Sequence, residues 1–236
     1  MVFLVAEFGV NWDGNFDILK KMLSSSKDVG FDAVKFQAFK EDMVKDHPEK
    51  ERLLKTSITQ ENISKIDSMA KFFDIEWFCT PMYVEAVDFL DPFVSRYKIR
   101  EFDGRTLLKN KSTPLFKKIS DTKKEILIST QQIPSQIFKQ NSRIKWLYCI
   151  PKYPCNIEEL DFTFFQNFHG YSNHCNNPLA LIIPSILGAE IIEVHVTLSK
   201  FENYVDNNVS FDFNEMKEII RSIRTIEKIK LPKFCL

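Results

Sequence analysis

The chain has 236 residues, 44% of them hydrophobic, enough to bury the core of one α/β barrel or of two small domains. Lysine plus arginine and aspartate plus glutamate each number 32, so the formal net charge is zero and leaves no electrostatic footprint for nucleic acid or an anionic membrane. The five cysteines (Cys79, Cys149, Cys155, Cys175, Cys235) include no Cys-x-x-Cys pair, residues 1–6 lack the basic flank of a signal peptide, and no apolar run spans a bilayer, so a soluble protein of the reducing cytoplasm is expected.

Strand-like runs follow in chain order at residues 2–6, 33–38, 76–80, 96–99, 125–129, 145–149, 170–172 and 191–196, most of them separated by stretches with helical spacing. Helices are expected at 15–29, 59–73 and 177–187. The clearest is the last, where Met216, Ile219, Ile220, Ile223 and Ile226 form an apolar stripe opposite Lys217, Glu218, Arg221 and Arg224. Thr59 with Asn62 makes a variant of a capping box. Residues 40–57, dense in charge, read as a long loop that would overhang the mouth of a barrel, its plain reading being a solvated surface excursion and its other reading a substrate lid. Residues 131–141 leave room for about two helical turns, so the fifth crossover should be shortened. The alternation predicts a single (β/α)₈ TIM barrel over residues 1–236, with its chemistry at the C-terminal ends of the strands.

Several polar residues fall at those ends. Glu7 closes the first strand ahead of an Asn/Asp/Gly-rich turn, where a carboxylate could hold a hydroxyl or a metal-bound water. Lys35 shares a face with Gln37 while Val34 and Phe36 point away, and Lys98 repeats the arrangement between Tyr97 and Ile99. Two inward lysines need anionic company, either a phosphate or carboxylate ligand or an internal ion pair for which Glu7 and Glu193 are available. Ser129 and Ser172 sit at further strand ends, Tyr153 follows the sixth strand, and Asp206 follows the eighth. His174 and His195 each end a strand-like run in the last third of the chain, as a pair of divalent-metal ligands would.

These segments resemble the N-acetylneuraminate (sialic acid) synthase family, including its legionaminate and pseudaminate relatives. The resemblance rests on Ala6-Glu-Phe-Gly-Val-Asn-Trp-Asp-Gly-Asn15, Asp32-Ala-Val-Lys-Phe-Gln37, Cys79-Thr-Pro81, Tyr97-Lys-Ile99, Ile128-Ser-Thr130, Gly170-Tyr-Ser-Asn-His174 and Glu193-Val-His-Val-Thr197. It implies a barrel that condenses phosphoenolpyruvate with an aldose, typically an N-acyl amino sugar, to give a sialic-acid-like α-keto acid and phosphate. It further implies that Lys35, Lys98, Ser129 and Ser172 hold phosphoenolpyruvate, and that His174 and His195 bind a divalent metal, Mn²⁺ first with Mg²⁺, Co²⁺ or Zn²⁺ as alternatives. Glu7, Asp103, Tyr153 and Asp206 are then the catalytic group, and a homodimer is one assembly open to the chain.

Departures from the pattern stand beside it. The family's Lys-Ile-x-Ser-Gly-Glu is Lys98-Ile-Arg-Glu-Phe-Asp103 here, so Glu101 replaces a phosphate-facing serine and Asp103 replaces a longer carboxylate. Glu101 would repel phosphate unless it turns away or pairs with Arg100 or Arg105. Trp12 stands where a histidine is expected, Asn173 where an aspartate is, and the family's small C-terminal antifreeze-like domain is absent from the sequence. Two other readings stay open: a catalytically degenerate barrel serving as a binding or regulatory subunit, and a barrel lyase or aldolase acting on another acceptor.

Overall fold

The structure, a computed structural model, describes residues 1–109, 111–134 and 141–229. Eight parallel strands run in sequence order, and β1 pairs with both β2 and β8, which closes the sheet into a barrel. They are β1 (Phe3–Glu7), β2 (Ala33–Ala38), β3 (Glu76–Pro81), β4 (Arg96–Ile99), β5 (Glu125–Thr130), β6 (Ile144–Tyr148), β7 (Gly170–Asn173) and β8 (Ile191–Thr197). Each falls within a residue or two of its expected run. A ninth strand, β9 (Phe211–Asp212), extends β8 through the pairing of Val196 with Phe211; at two residues it is too short for an alternation signal.

The helices are α1 (Phe16–Val29), α2 (Lys50–Leu54), α3 (Ile63–Phe72), α4 (Val84–Leu90), α5 (Glu101–Leu108), α6 (Pro114–Asp121), α7 (Leu179–Ile186) and α8 (Phe213–Ile226). Asn15 caps α1 by accepting from the backbone of Asp17 and Ile18, and α8 opens with a capping box between Asp212 and Glu215. The Thr59–Asn62 box also forms: Thr59 N–H donates to Asn62 Oδ1 at 2.9 Å, although regular helix begins only at Ile63. Between β6 and β7 the described chain makes two short 3₁₀ turns in place of an α-helix. The shortened fifth crossover lies largely outside the described residues, as does Cys235.

Alternation along the strands sorts the core. Val34, Phe36, Tyr97, Ile99, Ile192, Val194 and Val196 are buried among the apolar residues of the layer between strands and helices. Their polar neighbours Lys35, Gln37, Lys98, Glu193 and His195 face the barrel interior at its C-terminal end. Register sets their heights: Glu7 is level with Lys35 on one side and His195 on the other, and Ser172 is level with Glu193.

Residues 40–49 are a solvated excursion, exposed at every position but Val44, whereas residues 50–57 turn inward, with Leu53, Thr56 and Ser57 buried. They form a 3₁₀ turn (Glu41–Met43) and α2, and Leu53 joins Val10 and Phe39 in a second small apolar cluster beside the mouth. Arg52 locks this cap to the β1–α1 turn with two bonds of 2.6 Å to Asp13, and Trp12 Nε1 donates to the Thr56 carbonyl at 3.2 Å. A loop of alternating charges and scattered hydrophobes has no single period, so the cluster had no signature in the sequence.

Candidate active site at the barrel mouth

A cavity of ≈ 290 Å³ opens at the C-terminal ends of the strands, and Glu7, Lys35, Lys98, Ser129, Tyr153, Ser172, His174 and His195 all line it. Its floor is a network of buried charge. Lys98 Nζ donates to both oxygens of Glu193, at 2.6 and 2.7 Å, while Lys35 Nζ lies 3.0 Å from Glu7 Oε2 and 3.4 Å from Glu193 Oε1. Lys35 also donates to Thr80 Oγ1 at 3.1 Å, Ser172 Oγ to Glu193 Oε1 at 2.9 Å, and Gln37 Nε2 to Glu7 Oε1 at 2.8 Å. Burial disfavours every one of these charges, but Lys35 and Lys98 outweigh it at Glu193 and hold that carboxyl well below the usual range. Glu193 and Glu7 likewise hold Lys35 above its ordinary value against the same burial. The two lysines therefore meet around Glu193 in the internal ion pairing that the sequence left open, and burial, with Lys35 adding to it, holds Lys98 below its ordinary value in spite of Glu193.

Ser129 Oγ, buried at the end of β5, has no hydrogen-bond partner and borders the same cavity. At the rim, Glu101 pairs with Arg105 at 3.2 Å and Arg100 Nε donates to Asp103 Oδ2 at 2.7 Å. The first pair meets the condition under which Glu101 does not repel an anion. The second removes Asp103 from the group it was expected to join: one turn into α5 it closes back on Arg100 and lines neither this cavity nor the one beside it. The lining carries four cations (Lys35, Lys98, Arg100, Arg105) against three carboxylates (Glu7, Glu101, Glu193).

Helix α5 reaches this position because residue 104 is glycine. A Cβ there would sit 2.3 Å from the Ser129 carbonyl oxygen, so the helix packs directly on the end of β5 and brings Glu101 and Arg105 to the rim.

On the opposite wall the rings of His174 and His195 are 5.5 Å apart, and the half-exposed Tyr153 stacks over His174 at 3.9 Å. His174 Nδ1 lies 2.8 Å from the Ile150 carbonyl, to which it can only donate, and this leaves Nε2 with the free lone pair. Burial, with His195 adding to it, pushes the His174 pKa down to about 3 and keeps the ring neutral, the form that binds metal. His195 Nδ1 is buried without a hydrogen-bond partner and lies 3.3 Å from Asp206 Oδ2. Burial works against a charged His195, but Asp206 outweighs it and raises the imidazole above its ordinary value. The neutral His174 ring fits as a ligand of a divalent ion, whereas at His195 an ion would have to displace the proton that Asp206 favours. Among the described residues no group of three or more His, Cys, Asp or Glu side chains is arranged to hold one, so further ligands would come from water and substrate. Cys149 lies 3.7 Å from His174, but burial pushes its thiol up to about 12, which removes it as a thiolate.

Asn11 had no role in the sequence reading, yet it fixes Asp206. Its Oδ1 accepts the Asp206 backbone N–H at 2.9 Å, and its Nδ2 donates to the Val196 carbonyl and to Ser210 Oγ at 3.0 and 2.9 Å. Only the Asn in the turn after β1 hinted at it, and nothing local showed that its partners would lie about two hundred residues away. Asn173 shapes the turn that carries His174 by accepting from Tyr171 Oη and the Cys175 backbone.

The model of the NeuB family matches residues 22–231. The chain belongs to the NeuB family. An uncharacterised protein of Methanocaldococcus jannaschii is 30% identical over 96% of this chain and 71% of its own length. The N,N'-diacetyllegionaminic acid synthase of Campylobacter jejuni is 26% identical over 95% of this chain and 76% of its own. In structure, the N-acetylneuraminic acid synthetase of Leptospira borgpetersenii superposes with a TM-score of 0.84 at 22% identity, covering 99% of this chain and 86% of that one, a likeness of fold. This NeuB barrel places Trp12 in its core, 1% exposed and edge-on to Phe16 and Phe36, so the residue that departs from the family pattern there packs and does not face the cavity. No helix among the described residues is long and apolar enough to cross a membrane.

Proposed function

We propose that this NeuB family member condenses phosphoenolpyruvate with an aldose, releasing phosphate and forming a sialic-acid-like α-keto acid in the cytoplasm. The observation that carries the reading is the convergence of Lys35 and Lys98 beneath a cavity that Ser129 and Ser172 also border. Phosphoenolpyruvate offers a carboxylate and a phosphate to such a floor, and hydroxyls at two strand ends suit the oxygens that the ammonium groups do not reach. The name of the Campylobacter relative supports the same reaction class.

In this reading the enol carbon attacks the aldehyde carbon, water adds at the carbon that carried the phosphate ester, and the C–O bond to phosphate breaks. Lys35 and Lys98 hold the phosphoenolpyruvate anion in place for attack. Glu7, bonded to Gln37 and level with both Lys35 and His195, is positioned to orient the sugar or the attacking water. Tyr153 and Asp206 lie on the acceptor side. The four cations of the lining face three carboxylates there and Asp103 just outside it, which leaves no free positive charge for a ligand of about three negative charges, and a divalent ion held by His174 and His195 would supply the balance while polarising the aldehyde. A Schiff-base aldolase fits less well at Lys35, because that chemistry needs a neutral amine and Glu193 and Glu7 hold this lysine above its ordinary value against burial; Lys98, which burial lowers in spite of Glu193, is the lysine that reading would use.

The test is phosphate release from phosphoenolpyruvate across a panel of N-acyl hexosamines with added Mn²⁺. Release that requires both sugar and metal supports the proposal. Release with neither, or none with any sugar in a folded protein, contradicts it.

A further inference from the structure

Helix α5 carries Glu101, Gly104 and Arg105 on one face, three and four residues apart, and Gly104 lets that face pack on the end of β5 where Ser129 stands. Three polar atoms in this corner are buried without a hydrogen-bond partner: Glu101 Oε2, Arg105 Nε and Ser129 Oγ. All three residues line the charged cavity at the mouth. The Glu101–Arg105 contact of 3.2 Å is thus an approach of opposite charges without an aligned hydrogen bond, unlike Arg100–Asp103, where Nε donates at 2.7 Å. Buried groups left in this state are costly, and a ligand that bonds them removes the cost.

The other carboxylates of the cavity are tightly held. Glu193 accepts from Lys98 with both oxygens and from Ser172, while Glu7 accepts from Gln37 and pairs with Lys35 at 3.0 Å. Among the described residues the Glu101 carboxylate has one ionic partner, Arg105, and no aligned bond from it. An anion entering a lining with no free positive charge raises the proton affinity of the carboxylates near it, and the one least firmly held takes the proton first. Burial already lifts the Glu101 carboxyl above its ordinary value in spite of Arg105. The other groups around it have their partner or their proton already. Lys98 at the end of β4 is closed on Glu193, Arg100 is closed on Asp103, and Cys149 after β6 is a neutral thiol pushed up to about 12. Beneath α5, the end of β5 brings only the hydroxyls of Ser129 and Thr130.

We infer that Glu101 binds the phosphate end of the ligand as a neutral acid: it takes up a proton when the anion enters and donates that O–H to a phosphate oxygen, while Arg105 exchanges the carboxylate for the anion. The inference rests on the condensation reading for its ligand, phosphoenolpyruvate. A single proton then turns a repelling group into a donor and frees a guanidinium at the same rim. Ser129 Oγ, the third unbonded atom of the corner, gains a phosphate oxygen as its partner. Because the proton is bound with the anion, this part of the affinity is present below the pKa of Glu101 in the complex and is lost as pH rises through it.

Isothermal titration of phosphoenolpyruvate in buffers of different ionisation enthalpy counts the protons taken up, and repeating it from about pH 6 to about pH 9 gives the slope of affinity. Glu101→Gln and Glu101→Ser place permanently neutral donors at the position, and the ligand's own protons cancel in the difference between proteins. Over part of that range the wild type takes up close to one proton more per ligand than either variant, and there its affinity falls up to about tenfold more per pH unit. At the alkaline end both variants bind at least as tightly as the wild type. Arg105→Met weakens the ligand at least about fivefold at every pH. Equal proton uptake in the wild type and both variants, weaker alkaline binding by both, an indifferent Arg105→Met, or no anion binding by the folded protein overturns the inference. Uptake that both variants lose, without phosphate release with any sugar, sinks the condensation reading and leaves the role of Glu101 standing; sugar-dependent phosphate release with equal uptake in all three proteins does the reverse.

Discussion

Glu193 on β8 grips the Lys98 ammonium of β4 with both carboxylate oxygens, across the interior of the barrel and with both side chains at most 5% exposed. A charge pair taken out of water stabilises little against an apolar pair of the same shape, but removal of one partner strands the other. Replacing Glu193 by Gln is therefore expected to cost about 3–5 kcal/mol in urea unfolding. Adding Lys98→Met to Glu193→Gln should recover part of that loss, since Lys35 keeps Glu7 at 3.0 Å. Additive losses in the double variant would show that Lys98 and Glu193 are not energetically coupled.

The histidine pair makes a prediction about metal. After chelation, Mn²⁺ at about a hundredfold over its Kd should raise stability by about 2.7 kcal/mol, seen as an increase in Tm. His174→Ala should abolish the shift, because the neutral ring oriented by the Ile150 carbonyl is one of two imidazoles available. An equal shift in the variant would place the ion elsewhere.

Gly104 makes a prediction about the rim. The methyl of Gly104→Ala would meet the Ser129 carbonyl at 2.3 Å, which forces α5 off the end of β5. The expected cost is about 1–3 kcal/mol, the usual range for overpacking. The phosphoenolpyruvate KM should rise with it, as Ser129, Glu101 and Arg105 move together. Loss of stability with an unchanged KM would remove the rim from the binding site.

The barrel was legible because its strands announce their faces. Lys35 and Gln37 alternating with Val34 and Phe36, and Glu193 and His195 alternating with Val194 and Val196, gave both the fold and the inward set. The lysines' ion-pair partners could be named as candidates for the same reason. What stayed hidden depends on contacts between distant segments. Asn11 reaches Asp206 and Ser210 across the β1–β8 seam, Glu101 is neutralised by an arginine one helical turn later, and the cap beside the mouth is assembled from the turns after β1, β2 and β8. Asp103 was misleading in the opposite way: its place in the sequence pattern pointed to the site, but its pairing with Arg100 draws it aside.

Trp12 tests whether departure from the family pattern means lost chemistry. Its indole packs edge-on to Phe16 and Phe36 and ties the cap through Thr56. Trp12→His should therefore destabilise the chain by about 3 kcal/mol or more, in the range of large-to-small aromatic changes in a core, and should not raise activity. A faster and equally stable variant would show that the position faces the chemistry.

The central claim is best tested with phosphoenolpyruvate labelled with ¹⁸O at the bridging oxygen, incubated with N-acetylmannosamine and Mn²⁺ and read by mass spectrometry. Condensation with cleavage of the C–O bond predicts the label in the released phosphate and a product equal in mass to the sugar plus an unlabelled pyruvyl unit. Label retained in free pyruvate, with the sugar unconsumed, would show simple phosphate-ester hydrolysis and contradict the account.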